Sequence, residues 1–499
     1  MPRFERLLSE SQVSVSDMSR PAYARDLWPQ FQLDRLAGQM ATPPQIILWP
    51  TTVTEVAAVV ALCADEGLPI VPFGAGSGVC GGTATGQTSV VIDLKRLKKV
   101  RDFDGHRCVV DVESGLNGER FERYLNRRGF SLGHFPSSIL CSTVGGWVAT
   151  RSAGQCSSRY GKIEDMVVDL EVVTADGKIH RTPRDGGALD WNQVFIGSEG
   201  TLGIITASRL MINPLPESRS FRGWLMPNIG AGIEMMRQTM VAGLRPAVMR
   251  MYDPLDTKMV GSDPNKPSTG LSGKLKSLAS GGSGPGGIKH AALRSVLSWS
   301  SVSNRIIRTW DGPVLLVTMA EGSVAETQAT EELMMQFAKA SGGIDQGEAP
   351  GKAWLAHRYD VSFKQSRIYR AGCFVDTFEV ATTWDRVESV YEAVRRAMAS
   401  EVVVMAHFSH VYPGGCSIYF TMAGSGSNPE KMRMKYRAAW QAGLSAANAS
   451  GAALAHHHGV GISRIDHMAK ANGSATSVFH ALKAALDPQG IMNPGKVMK

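Results

Sequence analysis

The sequence of 499 residues has few cysteines, and none of its seven belongs to a Cys-x-x-Cys pair. It also has no basic run of five or six residues, although its net charge is +8 at pH 7. Thiols without ligand spacing indicate free cysteines in a reducing compartment. Dispersed positive charge gives little support to nucleic-acid binding, and it suits anionic substrates or lipid headgroups better.

Long apolar runs are missing as well. The N-terminal stretch MPRFERLLSESQ carries charges throughout and lacks the apolar core of a secretory signal. No uncharged apolar stretch reaches the roughly 18 residues that would span a bilayer. The chain ends in KVMK, which is not the Ser-Lys-Leu peroxisomal signal. We therefore expect a cytoplasmic protein, and we leave open whether it contacts a membrane at its periphery.

The length and composition predict a globular protein of two or three domains. Single hydrophobic cores stop growing at roughly 250–300 residues, so one core is not enough for this chain. The hydrophobic content of 43% and the charged content of 20% are ordinary for globular proteins.

A first glycine cluster follows a predicted helix and strand. Thr52 is a candidate N-cap for an apolar helix that Gly67 ends, and LPIVPF reads as a buried strand. The turn PFGAGSG (72–78) then leads into another strand, SVVIDL, whereas a Rossmann glycine turn feeds a helix. Its backbone N–H groups can still surround a phosphate, and an ordinary hairpin loop is the alternative.

Two further clusters of small residues follow, at 141–161 and 197–206. Between them, strands flank Asp176-Gly177, which is a strong hairpin signal. Three separated clusters predict one long ligand wrapped by loops. After residue 217, alternating strand and helix patterns predict an α+β domain with an antiparallel sheet covered by helices. The Gly/Ser/Pro-rich segment 261–287 predicts a mobile loop or lid.

The glycine clusters, HHHGVG (456–461) and the terminal DPQGIMNPGK together resemble the flavoproteins of the vanillyl-alcohol oxidase / p-cresol methylhydroxylase type, over residues 43–499. Within that group GHFPSSILCSTVGGWVATRSAG, GSEGTLGIIT and CSIYF look most like the alkyldihydroxyacetonephosphate synthases. The resemblance implies an α+β fold. We expect an N-terminal helical segment (1–42), a p-cresol-methylhydroxylase-type FAD-binding domain of two α+β subdomains (43–217), an α+β cap domain (218–440) and a helical C-terminal segment (441–499).

The same resemblance implies non-covalent FAD, because the family does not use His134 as a covalent anchor. The implied FAD-binding residues are Pro72, Phe73, Gly74, Ala75, Gly76, Ser77, Gly78, Ser137, Ser138, Ile139, Leu140, Cys141, Ser142, Thr143, Gly145, Gly146, Thr150, Arg151, Ser152, Ala153, Glu199, Gly200, Thr201, Leu202, Gly203, Ile204 and Ile205.

The implied reaction exchanges the acyl chain of acyl-dihydroxyacetone phosphate for a long-chain alcohol, without net redox change. Tyr419 matches the family's proposed acid/base, and strand alternation places it opposite the apolar Ile418 and Phe420. A packed tyrosine with a bonded hydroxyl is the alternative. The resemblance implies that the histidine run from His456 through His457 to His458 handles protons and holds the phosphate, and histidine suits both roles because it titrates near neutral pH. A solvated loop is the alternative.

A catalytic metal is not expected. Related hydroxyacid dehydrogenases carry a divalent metal on histidines and a glutamate, and His407 and His410 lie in a comparable region. However, Tyr419 stands where a further ligand histidine would fall, and in a regular strand His407 and His410 face opposite sides. The family's phosphate-binding arginine aligns with Gln365, so we assign that role to Arg367, with Arg370 as a second option.

Two other functions stay open. One is an FAD-dependent D-2-hydroxyacid dehydrogenase of the lactate, glycolate or 2-hydroxyglutarate type, which predicts bound metal and flavin bleaching by a hydroxyacid. The other is a flavin-fold protein that binds lipid without turnover. In the reading that we favour, the partners are lipid-type small molecules and a second copy of the chain in a homodimer, with no nucleic acid.

Overall fold

The computed structural model describes residues 3–183, 189–260, 297, 312–360, 368–369 and 371–499. The segment 261–287, Gln365, Arg367 and Arg370 lie outside the described residues. The chain forms two compact units. The first unit comprises Met1–Gly154, Gly161–Leu215 and Ala455–Lys499, and the second comprises Gln155–Tyr160 and Pro216–Leu454.

The described strands follow in chain order. They are β1 Val13–Ser14, β2 Ile46–Leu48, β3 Ile70–Phe73, β4 Val90–Asp93, β5 Val100–Asp104, β6 Val109–Glu113, β7 Phe130–Ser131, β8 Val167–Val173, β9 Ile179–Arg181, β10 Ile204–Met211, β11 Asn213–Pro214, β12 Ser218–Met226, β13 Val248–Tyr252, β14 Val314–Gly322, β15 Ile344–Asp345, β16 Cys373–Thr383, β17 Val403–Tyr412 and β18 Gly415–Ser425.

The described α-helices are numbered in the same way. They are α1 Phe4–Leu7, α2 Pro29–Leu36, α3 Val53–Glu66, α4 Gly118–Asn126, α5 Val144–Ala149, α6 Ser157–Tyr160, α7 Ile163–Met166, α8 Asn192–Phe195, α9 Ile229–Val241, α10 Pro254–Val260, α11 Val324–Ala340, α12 Ala349–His357, α13 Val387–Met398, α14 Pro429–Ala449, α15 Ile465–Asn472 and α16 Ala475–Leu486.

In the first unit, a four-stranded sheet of order β1-β2-β4-β3 carries the first glycine loop. Helix α3 connects β2 to β3 and packs its apolar side into the core beneath them. Its ends are those expected from the sequence. The Thr52 hydroxyl accepts a hydrogen bond from the amide of Glu55, and Gly67 ends the helix in the left-handed region at φ 64°.

The first unit also contains a five-stranded antiparallel sheet of order β5-β6-β10-β8-β9. Strands β8 and β9 form the hairpin predicted at Asp176-Gly177, and Gly177 has the positive φ of 74° that such a turn requires. The third glycine cluster leads directly into β10, the central strand of this sheet.

The second unit is built on a seven-stranded antiparallel sheet of order β15-β12-β14-β13-β17-β18-β16. One face of the sheet is apolar and packs against helices. Phe378 on β16 stacks on Phe420 on β18 with ring centroids 5.3 Å apart, and Trp440 of α14 lies 5.4 Å from Phe378. The predicted α+β class, with an antiparallel sheet covered by helices, is confirmed.

Among the described residues, no helix has the length and apolar composition needed to cross a bilayer.

Candidate functional site

In the first unit, the loop after β3 presents a row of unused backbone donors. The amides of residues 75–79 donate no hydrogen bond to the part of the chain that the structure describes. Two other hydrogen bonds fix the loop in place. The Gly78 carbonyl accepts a hydrogen bond from the Leu27 amide at 2.8 Å, and the Asp26 carboxylate accepts one from the Gly81 amide at 2.8 Å. Successive free amides in a glycine-rich turn suit an anion such as the pyrophosphate of FAD.

The second predicted flavin segment lies directly against this loop. A Cβ atom added to Gly74 would stand 2.5 Å from the Thr143 hydroxyl oxygen, so only glycine permits the approach. The Thr143 hydroxyl is buried and has no hydrogen-bond partner within the described residues. Ser198 has a buried hydroxyl in the same condition. Because buried polar groups are normally bonded, these orphaned hydroxyls fit a polar ligand in this unit.

The other residues of the second segment occupy regular positions around it. Ser137 and Ser138 precede a short 3₁₀ helix, Ile139–Cys141, and Ser142 and Thr143 lead into α5. Residues 150–153 follow α5. Several of the predicted hydroxyls already have protein partners, and the Thr150 hydroxyl donates to the Gly146 carbonyl at 2.9 Å. Ser142 accepts from the Trp147 indole at 2.8 Å, and Ser152 lies 2.8 Å from the His134 ring.

The third predicted segment closes on the first two. A Cβ on Gly200 would lie 2.7 Å from the Pro72 ring, and one on Gly197 would lie 3.1 Å from Arg151. The structure therefore brings the first and third glycine clusters and residues 141–154 of the second together within the first unit. Ile204 is an exception among the predicted contacts, because its side chain lies in the hydrophobic core beneath β3 and β4.

Glu199 has a role that the sequence did not reveal. Its carboxylate accepts hydrogen bonds from the Val460 amide at 2.6 Å and the Gly461 amide at 3.0 Å. A Cβ on Gly459, whose φ is 81°, would lie 2.8 Å from the same carboxylate. Burial raises the pKa of Glu199, although the Val460 and Gly461 amides oppose the shift. The carboxylate thus holds the turn that follows the three histidines.

The three histidines form a chain of ring contacts in the first unit. The Nδ1 atoms of His456 and His457 are 2.8 Å apart, and the rings of His457 and His458 have centroids 4.5 Å apart. A contact between two Nδ1 atoms needs one donor and one acceptor, so His456 and His457 cannot both be imidazolium ions in this arrangement. The pair therefore holds a proton between two rings, which suits proton handling.

In the second unit, Tyr419 lies on β18 where the sequence predicted it. Ile418 and Phe420 are fully buried in the apolar face, whereas Tyr419 is half-buried on the opposite, polar face. In the sheet register it is paired with Glu379 of β16 on one side and His407 of β17 on the other. The His407 ring stacks on the Tyr419 ring with centroids 4.6 Å apart and planes 17° apart.

The expectation that His407 and His410 face opposite sides is wrong. A β-bulge between Ser409 and Val411 breaks the alternation of β17, and His410 adopts a left-handed φ of 51°. The bulge brings the His410 ring to the Tyr419 side, with ring centroids 6.2 Å apart. The His410 Nδ1 atom lies 2.8 Å from the Ser157 hydroxyl of α6. Both histidines therefore flank Tyr419.

Three residues beside His407 had no recognisable signal in the sequence. The Asp256 carboxylate of α10 lies 3.9 Å from His407 Nδ1, the Tyr252 ring lies 6.2 Å from the His407 ring, and Arg250 lies over Tyr252 at 5.2 Å. Burial lowers the pKa of His407 well below its usual range, and Arg250 adds to this. Burial also raises the pKa of Asp256 to about 7, with a further contribution from Asp253.

Comparison with known families shows two matches. The family model of the FAD binding domain matches residues 44–183, and the model of the FAD linked oxidases, C-terminal domain, matches residues 215–497, more than half of the chain.

The alkyldihydroxyacetonephosphate synthase of Dictyostelium discoideum is 29% identical over 474 residues, with 92% of this chain and 74% of that protein covered. Glycolate oxidase subunit GlcD of Bacillus subtilis is 25% identical, with 97% of this chain and 93% of that protein covered.

Solved structures are similar in fold. An alkyldihydroxyacetonephosphate synthase structure superposes with a TM-score of 0.77 at 23% identity, over 99% of this chain and 84% of that one. p-Cresol methylhydroxylase superposes with a TM-score of 0.72 at 18% identity, over 99% of this chain and 95% of that one. The expected p-cresol methylhydroxylase fold is confirmed. The chain belongs to the FAD-linked oxidase family, and its cofactor is FAD.

Proposed function

We propose that the chain is an alkyldihydroxyacetonephosphate synthase-like transferase that replaces the acyl chain of acyl-dihydroxyacetone phosphate with a long-chain alcohol, forming an ether. The observation that carries the proposal is Tyr419, a phenol on the polar sheet face with an imidazole stacked on its ring. An exchange without net redox change still needs a group that removes a proton from the carbon beside the ketone and later returns it. Relatives named as such synthases support the same substrate class.

Each predicted residue has a role in this proposal. Bound FAD supplies the electronic chemistry that activates the substrate carbon. The amides of residues 75–79 and the Thr143 hydroxyl hold the cofactor. Tyr419 exchanges the carbon-bound proton. His457 and His458 hold the anionic group of the substrate, and His456 shares a proton with His457. Arg367 remains our candidate for a phosphate ligand.

The test uses purified protein that contains FAD, palmitoyl-dihydroxyacetone phosphate and labelled hexadecanol. We expect label in an alkyl-dihydroxyacetone phosphate whose ether bond survives alkaline hydrolysis. Tyr419→Phe removes only the hydroxyl and should abolish that product while retaining FAD. Tyr124→Phe is the matched control, because the Tyr124 ring makes packing and cation–π contacts that phenylalanine preserves.

A D-2-hydroxyacid dehydrogenase is the second candidate, favoured by the similarity to a glycolate oxidase subunit. If no ether forms and D-lactate or glycolate instead bleaches the flavin under anaerobic conditions, the transferase proposal is wrong. Bound lipid with neither reaction would leave a binding protein without turnover. Metal analysis of the purified protein separates the dehydrogenase further, since that reading predicts a bound divalent ion.

The proposal includes the homodimer expected from the sequence, and peripheral membrane contact stays an open alternative within it. Size-exclusion chromatography with light scattering tests the dimer, and cosedimentation with anionic lipid vesicles tests the membrane contact.

A further inference from the structure

The proposed exchange needs two different proton acceptors, and this inference rests on that proposed function. Tyr419 is protonated by the substrate carbon and must stay protonated until the product forms, although its hydroxyl proton exchanges with water. The incoming alcohol also has to lose its hydroxyl proton, because a neutral alcohol is a weak nucleophile at neutral pH. A second base is therefore required within reach of the same carbon atom.

We propose that His407, supported by Asp256, is the base that takes the proton of the incoming alcohol. The sheet register brings His407 beside Tyr419, since the two residues are paired on neighbouring strands and share the polar face. Their rings are parallel and 4.6 Å apart. Two bases that serve one carbon atom and the oxygen that attacks it must lie this close together.

Asp256 selects which nitrogen of His407 is the base. Its carboxylate lies 3.9 Å from Nδ1, within ion-pair range, and so favours a proton on that nitrogen. The Nε2 lone pair then remains as the acceptor for the alcohol proton. Once Nε2 is protonated, the imidazolium has a carboxylate next to it to balance the charge. Asp256 is thus a positioning residue and His407 a catalytic one.

The groups around His407 keep it neutral until it is needed. Tyr252 on β13, Tyr419 on β18 and Asp256 on α10 lie beside the ring, and the charges of Arg250 on β13 and His410 on β17 act on it. His407 is 7% exposed, and burial, Arg250 and His410 together hold its pKa well below the usual range. A neutral imidazole is the form that accepts a proton.

The step balances without any redox partner. The alcohol O–H bond breaks and its proton goes to His407 Nε2. The alcohol oxygen forms a bond to the carbon beside the ketone, and the bond from that carbon to the fatty carboxylate breaks, its electron pair leaving with the carboxylate. Water then accepts the proton from His407. The net products are an ether, a fatty carboxylate and a proton.

The test separates the two bases by measuring two reactions of the FAD-loaded enzyme. Palmitoyl-dihydroxyacetone phosphate, deuterated at the ester-bearing carbon, reports the Tyr419 step through loss of deuterium to water. Labelled hexadecanol reports the alcohol step. For His407→Gln we expect deuterium loss within about twofold of wild type and hexadecanol transfer lowered by about 100-fold, the contribution typical of a general base. Asp256→Asn should show the same pattern with a smaller loss.

A more acidic alcohol gives a readout that a purely structural change would not produce. The hydroxyl of 2,2-difluorohexadecanol loses its proton more readily, so the deficit of His407→Gln should shrink to below about tenfold. His357→Gln is the matched control. His357 forms a similar histidine–aspartate contact with Asp360 at 3.0 Å, but on the exposed surface, and its loss should leave both reactions unchanged.

Three outcomes would overturn the inference. If His407→Gln transfers hexadecanol at the wild-type rate, His407 is not the base. If His407→Gln loses deuterium exchange as severely as alcohol transfer, and does so with both alcohols, the role of His407 is structural. A wild-type enzyme that forms no ether would remove the proposed function and this inference with it. Flavin content and melting temperature verify folding, and Asp256→Asn provides an independent variant should His407→Gln fail to fold.

Discussion

The ring of His407 lies parallel to the ring of Tyr419, with centroids 4.6 Å apart and planes 17° apart. The backbone pairing of β17 with β18 sets this relationship, because directly opposed residues of antiparallel strands lie on the same face. The next strand on the other side of β18 contributes Glu379 to the same row. Acid/base groups from three consecutive strands thus share one face of the sheet.

The rate of alcohol transfer should depend on the ionisation of Asp256. Burial raises the pKa of this carboxyl to about 7. Below that pH the carboxyl is neutral and cannot balance a protonated His407, so hexadecanol transfer should rise as pH increases through about 7. In Asp256→Asn this ascending limb should disappear. A pH–rate profile that is identical in wild type and variant would contradict the assignment.

The same raised pKa predicts an effect of Asp256 on stability. The folded-state pKa of about 7 is above the ordinary value of 3.8, so the folded protein binds the proton more tightly than the unfolded chain. Wild-type stability should therefore fall as pH rises from about 4 to 7. The uncharged Asp256→Asn does not undergo this loss. Its free energy of unfolding at pH 8 should therefore exceed that of the wild type by on the order of 1–3 kcal/mol.

Urea unfolding at several pH values measures this difference. The exposed Asp385→Asn is the control and should show no such gain. A free energy of unfolding for Asp256→Asn that stays below wild type at pH 8 would show that the carboxyl is ionised and well paired in the folded protein.

The left-handed backbone at His410 predicts an unusual order of stability. At φ 51° an L-residue with a Cβ is strained by roughly 1–2 kcal/mol, whereas glycine is not. His410→Gly should therefore be more stable than His410→Ala by about 1 kcal/mol in thermal or denaturant unfolding. At Thr421, on regular strand β18, the order should be reversed because glycine weakens a strand. The same order at both positions would argue against the bulge.

The approach of Gly76 to Phe73 predicts a loss of FAD affinity on substitution. A Cβ at residue 76 would lie 2.5 Å from the Phe73 ring, and the φ of 64° disfavours any side chain. Gly76→Ala should distort the row of amides 75–79 and raise the Kd for FAD about tenfold or more, equivalent to ~1.4 kcal/mol. Flavin fluorescence titration of the apoprotein measures it. Gly414→Ala, which has open space around it, should bind FAD as wild type does.

The Glu199 carboxylate should stabilise the turn after the histidines. Glu199→Ala leaves the buried amides of Val460 and Gly461 without their acceptor, at a cost of about 1–3 kcal/mol per unsatisfied group. We expect a lower free energy of unfolding and weaker binding of the anionic substrate, seen as a higher KM. Glu217→Ala is the matched control, because Glu217 is exposed. Equal stability of the two variants would refute the role.

Local patterns predicted much of the fold. Thr52 and Gly67 marked the ends of α3, and Asp176-Gly177 marked a hairpin, because capping and turn chemistry depend on a few adjacent residues. Alternation along CSIYF placed Tyr419 opposite the apolar face. The motifs also indicated the family and FAD. These signals are contained in short segments, so they can be read before any packing is known.

Long-range contacts were not accessible in this way. The bulge at His410 could not be predicted, because an extra residue in one strand is defined only against its partner strand. Asp256 lies about 150 residues before His407 in the chain, and Ser157 about 250 before His410, so no local pattern links them. The resemblance placed Glu199 among the FAD-binding residues, but the hydrogen bonds of its carboxylate to residues 460 and 461 depend on the packing of distant segments.

The sequence by itself determined the residue types that carry the chemistry: the glycine clusters, the phenol of Tyr419 and the three consecutive histidines. The tertiary structure alone decided which groups lie beside these residues. It thereby also decided the charge state of those neighbouring groups. Burial and neighbouring charges set the pKa values of His407 and Asp256, and both arise only when β13, α10, β17 and β18 are packed together.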